Sequence, residues 1–92
     1  MRAKVDRNQA EIVAALRSVG ASVQSLAAIG KGCPDLLVGW RGSNYVIEVK
    51  DGRVVPSKRK LTPDQVRWHD AWNGRVHVVS SVTDALSLLG VL

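Results

Sequence analysis

The stretch Asp35-Leu36-Leu37-Val38-Gly39-Trp40-Arg41-Gly42-Ser43-Asn44-Tyr45-Val46-Ile47-Glu48-Val49-Lys50 decides the fold. Residues 35–40 form a short apolar run and read as a buried strand. Residues 41–44 carry turn chemistry, and residues 45–50 have strong β propensity. The two strands make a hairpin, with a loop of either Arg41-Gly42 or the four residues 41–44. The shorter loop sets Asp35 opposite Glu48, and the longer one sets it opposite Lys50. Both place Asp35, Glu48 and Lys50 on one face, because strand side chains alternate with period two. Only an odd slip or a bulge separates them.

Two carboxylates at one strand end repel each other and resist desolvation. A divalent cation offsets both costs, and hard carboxylate oxygens suit Mg²⁺ or Mn²⁺. Lys50 adds a positive charge that orients a water or stabilises charge developing on a phosphate. The same trio also fits a plain lysine–carboxylate cluster on the surface.

Working outward, residues 6–19 read as a helix. Ile12, Val13, Leu16 and Val19 share one face, Asp6 is the expected N-cap, and Gly20 stops the helix. Glu11 lies ~100° from the stripe centre at Ile12 and is expected to border the buried face. Residues 22–28 form a weak strand, and Gly30-Lys31-Gly32-Cys33-Pro34 a turn. After the hairpin comes a loop over residues 51–61. Thr62-Pro63-Asp64-Gln65 is then a helix start, with Thr62 as N-cap, Pro63 in the first turn and Gln65 closing a capping box. That helix runs to about Trp72, and residues 75–80 form a strand. Ser81 caps a last helix whose buried face is Val82, Ala85, Leu86 and Leu89. Leu88, Val91 and Leu92 fall off that face and are expected to offer a dimer surface. Trp40, Trp68 and Trp72 read as packing residues, and His69 and His77 carry no assigned chemistry. The order α-β-β-β-α-β-α implies an α/β fold: a mixed four-stranded sheet covered by helices.

Ninety-two residues suit one domain and exclude a Rossmann pair or a TIM barrel. One Cys excludes an internal disulfide, and with two His it excludes a Cys/His zinc site of standard ligand count. No apolar run reaches the length of a signal peptide core or a membrane span, so a cytoplasmic location and a reduced Cys33 are expected. The net charge of +5 points to a polyanionic partner. It is concentrated: residues 53–69 hold Arg53, Lys58, Arg59, Lys60 and Arg67 against Asp64 alone.

Pro34-Asp35, 12 residues, then Glu48-Val49-Lys50 resembles the PD-(D/E)xK nuclease motif. Gly32-Cys33-Pro34-Asp35-Leu36-Leu37, Glu48-Val49-Lys50 and Leu61-Thr62-Pro63-Asp64-Gln65-Val66-Arg67-Trp68 resemble, in succession, the signatures of VRR-NUC domains, the virus-type replication–repair nucleases of that superfamily. Val76-His77-Val78-Val79-Ser80-Ser81 before a short helix also fits, so the resemblance spans residues 11–89. It implies a restriction-endonuclease-like αβββαβ(α) core with strand order 1-2-3-4. It implies Asp35, Glu48, the Val49 carbonyl and Glu11 as metal ligands, Lys50 as the residue that activates water, and Gln65 as a helix glutamine facing the site. The length matches the stand-alone, minimal members typical of bacteriophages and bacteria; small members resemble archaeal Holliday-junction resolvases and are expected to act as homodimers on four-way junctions.

The expected function is therefore a Mg²⁺- or Mn²⁺-dependent DNA endonuclease cutting four-way junctions as a homodimer. Lys31, Arg53, Lys58, Arg59, Lys60 and Arg67 are its expected DNA-binding residues, holding backbone phosphates. No membrane or small-molecule substrate is expected. The alternatives are a nuclease for flaps, nicks or ends, a basic nucleic-acid-binding module without cleavage, and a subunit active only in a larger complex.

Overall fold

Arg41 and Gly42 both hold positive φ, 47° and 83°, and this closes the hairpin in two residues. The structure is a computed structural model that describes residues 7–92. Its elements are α1 (Gln9–Ser18), β1 (Ser22–Ser25), β2 (Leu36–Trp40), β3 (Ser43–Val49), a 3-10 turn (Pro56–Lys58), α2 (Pro63–Ala71), β4 (His77–Val79) and α3 (Val82–Leu88). Leu36 pairs with Ile47 and Trp40 with Ser43, so the shorter-loop register is the one adopted. The sheet order is β1-β2-β3-β4. β2 runs antiparallel to both β1 and β3, and β4 lies parallel to β3. A parallel neighbour needs a crossover, and the segment containing α2 supplies it.

The alternation read from the hairpin decides the core. Leu36 and Val38 are fully buried, while Leu37 between them is 39% exposed. Together with Ile47, Val49 and Val79 they meet Ile12 and Leu16 of α1, and Ala85 and Leu89 from α3 and its end. Full burial of each such large apolar side chain contributes roughly 1.5–3 kcal/mol. By the same alternation Glu48 lies on the opposite face, where α2 stands.

Several local expectations are corrected. α1 starts at Gln9, and its N-cap position is Asn8, whose side chain makes no capping bond. The expected cap Asp6 lies outside the described residues. The Asn8 amide is used elsewhere: Nδ2 donates to Lys50 O and to Ser80 O, each at 3.0 Å, tying the start of α1 to the ends of β3 and β4. β1 stops at Ser25 because Leu26 enters a turn closed by Ile29 N–H to Leu26 O at 3.0 Å. Leu88 packs against the core, leaving Val91 and Leu92 exposed. Trp72 is not a core packing residue. It follows the last residue of α2 with extended backbone, is 48% exposed, and stacks on Trp68 with centroids 4.7 Å apart.

Candidate active site

The site is built where β3 ends. Glu48 is 1% exposed, and Val49 beside it is equally buried. Lys50 follows directly, its N–H donating to Val79 O of β4 at 2.9 Å. The Val49 N–H points the other way, past the end of β2, and donates to Asp35 Oδ2 at 2.7 Å. Asp35 is itself out of step with the ladder. Its carbonyl accepts from Leu26 N–H on the β1 side at 2.8 Å, while its own N–H donates to Ile47 O on the β3 side at 3.1 Å. The backbone turns there as at a β-bulge, a feature that re-aims a side chain at a sheet end. The expected alternation thus survives for Glu48 and Lys50, and Asp35 reaches the same strand end through a local irregularity.

The next stretch of chain brings the remaining groups. Thr62 Oγ1 accepts from Gln65 N–H, and Gln65 Oε1 accepts from Thr62 N–H at 2.9 Å, completing the expected capping box. The same Gln65 Oε1 accepts from Lys50 Nζ at 2.8 Å, and Gln65 Nε2 donates to Glu48 Oε2 at 3.1 Å. Gly32 fixes how closely the two parts approach. Its φ is +81°, and a Cβ there would stand 2.2 Å from Asp64 O in the first turn of α2. Only glycine suits both demands. Cys33, next in the chain, feels both acids: burial first, then the Glu48 and Asp35 charges, push its thiol above the ordinary 9.0.

His69 is a neighbour that the sequence reading left without a role. Its Nε2 stands 3.9 Å from Glu48 Oε1, an ion-pair distance rather than a hydrogen bond. The signal was present: His69 is four residues after Gln65, hence on the same face of α2.

Glu11 is placed elsewhere. It is exposed and does not border the core, because the buried face of α1 is Gln9, Ile12 and Leu16 and Glu11 lies on its solvent side. It lines a cleft of about 530 Å³ that also holds Asp51, Arg53, Arg59 and Asp84. Among the described residues, no three Asp, Glu, His or Cys side chains are grouped to hold one metal ion. The donors at the strand end still fit a hard cation: Asp35, Glu48 and the Val49 carbonyl offer only oxygen. Mg²⁺ commonly takes one or two protein carboxylates and completes its shell with water and phosphate oxygens.

The basic residues divide into two groups. Arg53 Nε donates to Asp51 Oδ1 at 3.0 Å, and Arg67 pairs with Asp64. Hydrogen bonds from the Arg53 side chain and N–H hold the Asp51 carboxyl below its usual range. Lys31, Lys58 and Lys60 are exposed. Arg59 is half-buried, and its Nε has no hydrogen-bond partner among the described residues.

No family model matches the chain, and no curated protein matches it. No helix among the described residues is long and apolar enough to cross a membrane. A solved structure described as a VRR_NUC domain superposes with a TM-score of 0.65, at 31% sequence identity, covering 91% of each chain. The fold is the restriction-endonuclease-like one: a four-stranded mixed sheet flanked by helices. At that identity and coverage the chain belongs to the VRR-NUC family.

Proposed function

We propose that the chain is a divalent-metal-dependent endodeoxyribonuclease that hydrolyses phosphodiester bonds, cutting four-way DNA junctions as a homodimer. One observation carries this reading: Asp35, Glu48 and Lys50 gather at the end of β3, linked through Val49 N–H and Gln65, in a chain of the VRR-NUC family.

Asp35, Glu48 and the Val49 carbonyl are the residues that would hold Mg²⁺ or Mn²⁺. Such an ion, when bound, supplies charge neutralisation at a phosphate oxygen and a lowered pKa for water. Asp35 is fixed for this duty by its bond from Val49 N–H, which uses Oδ2. Lys50 uses one of its three ammonium donors on Gln65 Oε1. The other two are available to a phosphate oxygen or an attacking water, and a positive charge there stabilises the extra negative charge of the pentavalent phosphorus. Lys31, Lys58, Lys60 and Arg59 hold backbone phosphates. Arg53 and Arg67 contribute less, since each already faces a carboxylate.

The test is cleavage of a labelled four-way junction by the purified chain with Mg²⁺ or Mn²⁺. Lys50→Ala and Asp35→Ala are each expected to lower the rate by roughly a hundredfold or more, the scale of losing a group that acts in the transition state. Undiminished cleavage by both variants defeats the proposal. Flap, nicked and blunt substrates in the same panel define the substrate class. Sedimentation of the pure chain at twice its monomer mass supports the dimer.

A further inference from the structure

The Gln65 carboxamide makes three hydrogen bonds, each with only one permitted polarity. Its oxygen accepts from Lys50 Nζ at 2.8 Å and from Thr62 N–H at 2.9 Å, and its nitrogen donates to Glu48 Oε2 at 3.1 Å. An ammonium and a backbone N–H only donate, and a carboxylate only accepts. A flipped carboxamide would set its NH₂ against two donors and its oxygen against a carboxylate.

The three partners are not equivalent. Lys50 and Glu48 belong to the reacting groups, and their contacts are drawn into whatever binds there. The Thr62 N–H belongs to the backbone at the start of α2. It is held by the extended conformation of Thr62, φ −68° and ψ 163°, which a following proline favours. It is held also by Thr62 Oγ1, which accepts from Gln65 N–H at 3.3 Å. In an ordinary capping box the glutamine oxygen serves the N-cap N–H alone. Here the same oxygen also receives the amine of Lys50.

We propose that Thr62 is a positioning residue for the cleavage reaction: its backbone N–H anchors Gln65 Oε1 where that oxygen receives the Lys50 amine, and so sets Lys50 and Glu48 relative to each other. This rests on the nuclease reading. Lysine carries a long flexible stem, and a fixed acceptor restricts where its charge stands. Thr62 and Gln65 are uncharged and offer no phosphate contact of the kind the exposed lysines make. Losing the anchor misplaces a reacting group and therefore lowers kcat rather than raising KM.

Thr62→Pro and Thr62→Ala separate the anchor from the helix cap. Both remove the hydroxyl, but only T62P removes the N–H, and the native φ of −68° suits proline. The expected result is a kcat for T62P roughly tenfold or more below that of T62A at equal KM. In the metal-free protein, the Gln65 side-chain NH₂ resonances should move toward those of a free glutamine in T62P and not in T62A. Equal kcat in the two variants, or unmoved Gln65 resonances in T62P, overturns the proposal. If T62P does not fold, a synthetic chain with an ester oxygen in place of the Thr62 N–H removes the same donor without the ring, and is judged by the same two readouts. A wild-type chain that cuts no DNA defeats the nuclease reading, and the Gln65 resonances then decide by themselves whether Thr62 holds the carboxamide.

Discussion

Cys33 reports on the two acids beside it. Burial disfavours its thiolate most, and the Glu48 and Asp35 charges add to that, so the thiol titrates above its ordinary 9.0. The thiolate is the nucleophile, and a raised pKa leaves less of it at neutral pH. Iodoacetamide should therefore alkylate Cys33 of the folded chain at pH 7 more slowly than the chain unfolded in guanidinium. Equal rates would mean that burial and the carboxylates do not act on the thiol. Glu48 and Lys50 were legible as site residues because β-strand alternation is a local rule that needs no knowledge of the rest of the fold. The spacing of His69 from Gln65 marked only the face of α2 it shares; its approach to Glu48 depends on how α2 lies over β3.

Elements are held together here by side chains that serve two of them at once. Asn8 is 2% exposed, and its amide bonds the last carbonyls on the ends of β3 and β4 from the start of α1. Asn8→Ala would leave Lys50 O and Ser80 O without this donor, at a cost of about 1–3 kcal/mol. The urea midpoint should fall while the m-value stays unchanged, since the surface exposed on unfolding is the same. The role of Asn8 was hidden from the sequence, because its partners Lys50 O and Ser80 O lie 42 and 72 residues along the chain. The capping box of α2 was legible because Thr62-Pro63-Asp64-Gln65 acts within one helical turn. The hairpin register was legible only as two alternatives. Positive φ at Arg41 and Gly42 chose between them, and arginine is not a residue that announces such a turn.

Across the whole molecule, the basic excess is smaller in effect than its count. Of the six expected DNA-binding cations, Arg53 and Arg67 are paired with Asp51 and Asp64, while Lys31, Lys58, Lys60 and Arg59 have no carboxylate partner among the described residues. Four phosphate contacts predict a log K against log salt slope of roughly −3.6 on duplex DNA. The double variant K58A/K60A should flatten that slope by about 2. Fluorescence anisotropy across a salt series checks both, and a slope unchanged in the variant would remove that loop from the DNA interface. The concentration of charge in residues 53–69 was plain in the sequence. Its partial neutralisation was not, because Asp51 lies just outside that run and reaches Arg53 only through the shape of the loop.

The sequence by itself determined the element order, the mixed sheet, the buried faces and the shared face of Glu48 and Lys50. Each of these follows from period-two or helical spacing, or from a cap, and those rules act over a few residues. Only the tertiary structure decided that Asp35 reaches the site through a bulge, that Glu11 lines a cleft with Asp51 and Arg53, and that Gln65 joins a helix cap to Lys50 and Glu48. Those outcomes depend on how distant segments approach: Gly32 against the start of α2, Asn8 against two strand ends. Such distances arise from packing the whole chain, and no local pattern carries them.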